Sequence, residues 1–156
     1  MGWRVTTQRR TKGLQAKLWG NLAHGATVVV DTAPIIYVLE GNPRFCDQFV
    51  GLFEAAQAGH LNIAISTITL AEVLTGPYKA GQTALAKRFE NALSRYTLLA
   101  VTPSVAVLAA QLRAQYHLRL PDAIQLATAL DSGATAFVTH DRDFSQVTGI
   151  DILTGP

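Results

Sequence analysis

Thr27-Val28-Val29-Val30-Asp31-Thr32-Ala33-Pro34-Ile35-Ile36-Tyr37-Val38-Leu39 is the stretch on which the reading of this chain turns. Its first four residues form a β-branched run, expected to be a buried strand over residues 27–30, and the run stops directly at an acid. Pro34 then opens a helix expected to reach Leu39, where Gly41, Asn42 and Pro43 terminate it. A strand that passes straight into a helix is half of a βαβ unit, and the same alternation recurs downstream.

A second helix, expected over residues 44–58, places Phe45, Phe49, Leu52 and Phe53 on one face and stops at Gly59. Residues 61–65 read as the second strand. Ser66 and Thr67 are candidate N-caps of a helix expected to reach Leu74, with Gly76 and Pro77 breaking it. Leu85, Phe89, Leu93 and Tyr96 recur at helical spacing over residues 82–96. A strand at 97–101 and a helix at 104–116 come next. The segment 118–130 carries Pro121 and Asp122 in a first helical turn, an arrangement suited to the positive helix N-terminus, and Gly133 ends it. Strands at 134–139 and 150–153, with a short turn or helix at 142–145 between them, complete the series. The runs are too apolar for a sheet with one solvated face, so a mostly parallel sheet of about five strands covered on both sides is expected.

Composition narrows the class. With 156 residues, 49% hydrophobic and 15% charged, the chain is too apolar for a disordered tail and long enough for one core. Its longest apolar run, residues 105–110, is far short of the ~18 residues a membrane span needs, and a cytoplasmic protein with no membrane partner is expected. The single thiol, Cys46, excludes a disulfide framework, and with scattered histidines it makes no structural zinc site. Cys46 is expected to be a small buried hydrophobe.

The net charge of +2 is unevenly spread. Residues 1–26 hold Arg4, Arg9, Arg10, Lys12 and Lys17 and no acid, whereas the rest carries eight basic and eleven acidic side chains, net −3. Residues 1–26 are therefore set apart as a basic N-terminal extension, with one short helix expected over 11–23 from the spacing of Leu14, Leu18 and Leu22; residues 27–156 form the domain. Nothing before Thr27 looks apolar enough for a further core layer, so residues 1 to about 24 are expected to be dispensable for the fold.

Ligands of open parallel sheets lie beyond the carboxyl ends of the strands, so the residues immediately after each strand are the first place to seek a site. Asp31 comes after the first strand and Asp141 after the fourth, while Glu72 and Asp122 sit early in helices within apolar text. Singly, each has a plain alternative: Asp31 as an N-cap, Glu72 as a solvated helix residue, Asp122 as a dipole-complementing acid. Together they would repel one another unless a cation intervened. Oxygen ligands without Cys or paired His favour Mg²⁺ or Mn²⁺, and such ions support in-line attack of water on a phosphodiester.

The segments Val29-Val-Asp31-Thr32, Ser66-Thr-Ile-Thr69-Leu-Ala-Glu72-Val-Leu, Leu118-Arg-Leu-Pro121-Asp122-Ala123-Ile124 and Val138-Thr139-His-Asp141-Arg-Asp143-Phe144 resemble, in this order, the PIN domain family and most closely its VapC-like branch of toxin ribonucleases. The resemblance spans residues 27–153. It implies a doubly wound three-layer α/β/α sandwich and a Mg²⁺- or Mn²⁺-dependent endoribonuclease acting on RNA. It also implies a homodimer and a cognate antitoxin. Asp31, Glu72, Asp122 and Asp141 match the acidic quartet, Asp143 an accessory acid, and Thr32 and Thr139 small polar residues that steady the carboxylates. Ala33 departs from the Asn or Ser common there, and the basic extension lies outside the pattern.

Two other classes compete. One is a PIN fold that binds RNA or a partner without cleaving it; four retained acids facing a polyanion argue against pure binding. The other is a phosphoacceptor or phosphatase domain, disfavoured because no second acid lies two positions after Asp31 and no lysine occurs beyond Lys87. Neither G-x-G-x-x-G nor G-x-x-x-x-G-K-[ST] occurs. Trp3 and Trp19 are expected to pack rather than stack on bases, and His140 to orient its surroundings or lie exposed.

Overall fold

A computed structural model describes residues 19–155. Five strands, β1 (Thr27–Val30), β2 (Asn62–Ser66), β3 (Thr97–Leu99), β4 (Ala136–Val138) and β5 (Asp151–Leu153), form one sheet in the order β3-β2-β1-β4-β5. Every neighbouring pair is parallel. Six helices connect them: α1 (Thr32–Leu39), α2 (Cys46–Gln57), α3 (Thr67–Lys79), α4 (Thr83–Leu93), α5 (Pro103–Tyr116) and α6 (Leu120–Asp131). A 3₁₀ turn covers Arg142–Gln146.

The alternation along β1 explains the layering. Val28 and Val30 enter a core with Ile35, Phe49, Leu52, Ile63, Val73, Phe89 and Leu93, so α1 to α4 cover that face of the sheet. Val29, pointing the other way, joins Ala64, Val105, Ala109, Leu112, Leu126 and Phe137 under α5 and α6. A central strand buried on both faces has no place for a polar residue until it ends, which is why Asp31 marks the end of β1. Val29 pairs with Ala64 of β2 and Phe137 of β4, leaving β1 at the centre, where the strand order reverses direction.

Boundaries move by a few residues and two expectations change. Helix α3 does not break at Gly76 and Pro77 but runs on to Lys79, with Pro77 buried inside it. The proline removes a single helical hydrogen bond near the helix end, and the ring is covered in return. The second change concerns residues before Thr27. Trp19 is 1% exposed and belongs to the core beneath α2, and Leu22 packs against it. The Gly25 N–H donates to the His60 carbonyl, tying this entry segment to the turn before β2. The packing therefore reaches back to Trp19, which makes a chain without residues 19–24 the test of where the domain begins. Most of the basic extension, with Trp3 and residues 11–18 of the expected helix, lies outside the described residues. Cys46 is buried, as its apolar setting requires, and among the described residues no helix is long and apolar enough to cross a membrane.

Trp19→Ala is expected to destabilise the full chain by about 3 kcal/mol, as loss of a buried Trp does elsewhere, and a chain beginning at Ala26 should lose at least as much. Urea denaturation measures both. An unchanged midpoint in the shortened chain would return the boundary to Thr27.

Candidate metal and active site

Asp31 leaves β1 at the carboxyl edge, beside the point where the strand order reverses, and caps α1: its Oδ1 accepts from the Thr32 N–H at 2.8 Å. The other carboxylate oxygen, Oδ2, accepts from the Thr139 hydroxyl at 2.8 Å. Thr139 comes directly after β4 and also accepts from the Asp141 N–H at 3.0 Å, so the loops after the two central strands are joined through one carboxylate and one hydroxyl. Capping α1 therefore occupies only one oxygen of Asp31, and the other ties β1 to the loop after β4.

Glu72 is brought to the same edge by α3. Its Oε1 accepts from the Thr32 hydroxyl at 3.1 Å. Asp122 stands in the first turn of α6 and accepts from Arg119 Nε at 2.8 Å, while the same guanidinium lies 3.8 Å from Asp141 Oδ2. Asp141 caps the 3₁₀ turn by accepting from the Asp143 N–H at 2.9 Å, which leaves Asp143 exposed at the rim. Asp31, Glu72, Asp122 and Asp141 are thus gathered at one edge of the sheet, and none faces the opposite edge.

The electrostatics set Asp31 apart. It is 8% exposed, and burial pushes its carboxyl from 3.8 up to about 6, with the like charges of Asp122 and Glu72 adding to the rise and the hydrogen bonds from Thr139 and Thr32 opposing it. Arg119, with a side chain 76% exposed, is the cation that pairs with Asp122 and Asp141. Water screens so exposed a pair, and it leaves the buried carboxylate of Asp31 uncompensated. Among the described residues no three acids, cysteines or histidines close around a common point. Among the described residues the donors that face this edge are carboxylate and hydroxyl oxygens, with no thiolate or imidazole, a set suited to a hard divalent cation such as Mg²⁺ or Mn²⁺.

Two residues of this site escaped sequence reading. Gln125 on α6 donates through Nε2 to the Thr69 hydroxyl at 2.6 Å and the Thr32 hydroxyl at 3.2 Å. Thr69 and Gln125 are fully buried. The only sequence signal was a polar residue three positions from each acid, Thr69 before Glu72 and Gln125 after Asp122, on the helix face that points inward. His140 turns away from the acids: Tyr37 Oη lies 3.0 Å from its Nδ1, and its ring packs against Phe45 and Phe49.

Between about pH 4 and pH 6 the unfolded chain has lost the Asp31 proton while the folded chain keeps it, so stability falls as pH rises through this window. The full cost, about 3 kcal/mol, stands above pH 6. Asp31→Asn is therefore expected to raise the melting temperature of the protein in EDTA by a few degrees above pH 6, the gap closing towards pH 4. Thermal melts across this range measure it, and a lower melting temperature at every pH would mean that the cap to α1 outweighs the buried charge.

Comparison with known proteins agrees with this architecture. Residues 28–150 match the PIN domain family. A toxin–antitoxin complex from Klebsiella pneumoniae contains a chain 31% identical, with a TM-score of 0.63, covering 79% of this chain and 94% of that one. VapBC2 from Rickettsia felis, solved bound to a DNA fragment from its promoter, is 20% identical with a TM-score of 0.67, covering 81% and 96%. VapC20 from Mycobacterium tuberculosis, a sarcin-ricin loop cleaving toxin, is 15% identical with a TM-score of 0.61, covering 76% and 92%. No curated protein matches the sequence. A parallel sheet in the order β3-β2-β1-β4-β5, acids gathered where that order reverses, and a family match over residues 28–150 make this chain a member of the PIN domain family.

Proposed function

We propose that this protein is an endoribonuclease that hydrolyses RNA phosphodiester bonds with Mg²⁺ or Mn²⁺, and that it is the toxin of a toxin–antitoxin pair. The observation that carries the reading is a buried carboxylate, Asp31, with three further acids at the same sheet edge. Asp31, Glu72, Asp122 and Asp141 would hold the cation, with Asp143 accessory at the rim. A bound divalent cation supplies positive charge that offsets the scissile phosphate and eases loss of a proton from the attacking water.

The chain's own groups prepare that chemistry. Thr139 and the Thr32 N–H fix both oxygens of Asp31, so its direction is set before any ligand arrives. The Thr32 hydroxyl does the same for one oxygen of Glu72. Arg119, held by Asp122 and Asp141 yet open to solvent, is placed where an incoming phosphate would compete with those acids for it. The likeness to toxin–antitoxin complexes supports an antitoxin partner. A groove of about 310 Å³ on the α1–α4 side of the sheet, with an apolar floor of Ile35, Val38, Phe53 and Tyr96 and with Glu54 and Arg95 also lining it, would offer it a docking face. A homodimer would set two acidic edges along one RNA.

Purified protein is expected to cleave total RNA with Mg²⁺ or Mn²⁺ and to stop in EDTA. Asp31→Asn should lose more than about 100-fold, since even outer-sphere substitutions cost 10–100-fold. Cleavage that survives EDTA would overturn the metal mechanism. RNA retained on a filter but never cut would instead favour the binding-module reading.

A further inference from the structure

Gln125 does more than fill space. Its side chain is 1% exposed, yet it sits in the apolar stretch Ala123-Ile124-Gln125-Leu126-Ala127, where an aliphatic residue would pack at no polar cost. Both amide protons are committed, one towards Thr69 Oγ1 at 2.6 Å and one towards Thr32 Oγ1 at 3.2 Å. The amide oxygen, equally buried, has no partner among the described residues. A side chain that leaves half its polar capacity unmet is a poor stabilising choice, so its value lies in what the committed half does.

Proton counting shows what that is. The Thr32 hydroxyl has one proton and two plausible receivers, Thr69 Oγ1 at 3.3 Å and Glu72 Oε1 at 3.1 Å. By donating to both threonines, Gln125 takes one of the two acceptor sites on each hydroxyl and makes no claim on the Thr32 proton, which goes to the carboxylate, the nearer and charged acceptor. With the amide turned the other way, Gln125 would accept instead, and Thr32 would need a second proton to hold Glu72 as well.

We propose that Gln125 is a positioning residue for Glu72, which it sets through the single proton of Thr32. The inference rests on the metal-site reading, because holding Glu72 in one direction matters only if that carboxylate meets a ligand. Asp122, three residues earlier on the same helix, ties the device to a second acid: α6 delivers one candidate ligand itself and orients another through Gln125 and Thr32.

The test is a double-substitution cycle in Mn²⁺ affinity, measured by isothermal titration calorimetry on the full chain, with a metal-free crystal structure of Gln125→Met. Methionine keeps the length and volume while removing both donors. Mn²⁺ binding is expected to weaken about 10-fold or more in Gln125→Met and in Thr32→Val, as for other outer-sphere substitutions. The double variant should be no weaker than Thr32→Val alone, and the crystal should show the Thr32–Glu72 hydrogen bond lost. Wild-type affinity in Gln125→Met, or losses that add in the double variant, would overturn the proposal; a residue that merely stabilised the fold would give additive losses. If Gln125→Met does not fold, Gln125→Asn replaces it, its amide one methylene too short to reach both hydroxyls, with the same expectations. If the wild-type chain itself binds no Mn²⁺, the metal-site reading fails, and the crystal alone decides the positioning claim: an intact Thr32–Glu72 bond overturns it and a broken one sustains it.

Discussion

The burial of one carboxylate organises this molecule. Asp31 ends a strand covered on both faces, so its charge meets the edge of two cores rather than open water. Two hydrogen bonds hold it, one from the helix it caps and one from the loop after the neighbouring strand, but neither brings a positive charge. Every other feature of the edge answers that condition. Threonines stand where they can donate to the carboxylates, the buried glutamine directs one of those donors, and Arg119 neutralises the outer acids from the solvent side. A fold optimised for stability alone would place an amide or a hydrophobe at position 31, and the acid found there is what the proposed cation site calls for.

The topology explains why these groups meet although they are far apart in sequence. In a parallel sheet all strand ends of one kind lie on one edge, and the strand order reverses between β1 and β4, the place where such sheets hold their ligands. The loop after β1 brings Asp31 and Thr32, the loop after β4 brings Thr139 and Asp141, and the N-terminal turns of α3 and α6 bring Thr69, Glu72, Asp122 and Gln125. Four separate segments thus meet at one edge of the sheet without any long or unusual loop.

Much of this was legible in the sequence, for identifiable reasons. The β-branched run of β1 and its abrupt end at Asp31 required no tertiary information, and the acids stood out because they interrupt apolar text. The features that were not legible depend on neighbours. Pro77 looks like a helix breaker, but near a helix end its cost is one hydrogen bond and its ring is covered. Trp19 packs as its residue type suggests, but it comes after a basic stretch, and the residues of α2 and β2 that bury it are ones that sequence does not place beside it. Gln125 and Thr69 are single polar residues in helices, common on any solvated face; only the packing of α3 against α6 shows that theirs is the inward one.

The most direct test of the account is anomalous diffraction from crystals of the full chain grown with Mn²⁺. The account predicts a manganese peak within coordination distance of Asp31 and of at least two among Glu72, Asp122 and Asp141, with Arg119 drawn away from the acids it now holds. Manganese bound elsewhere on the chain, with Asp31 touched only by Thr32 and Thr139 as it is here, would contradict it.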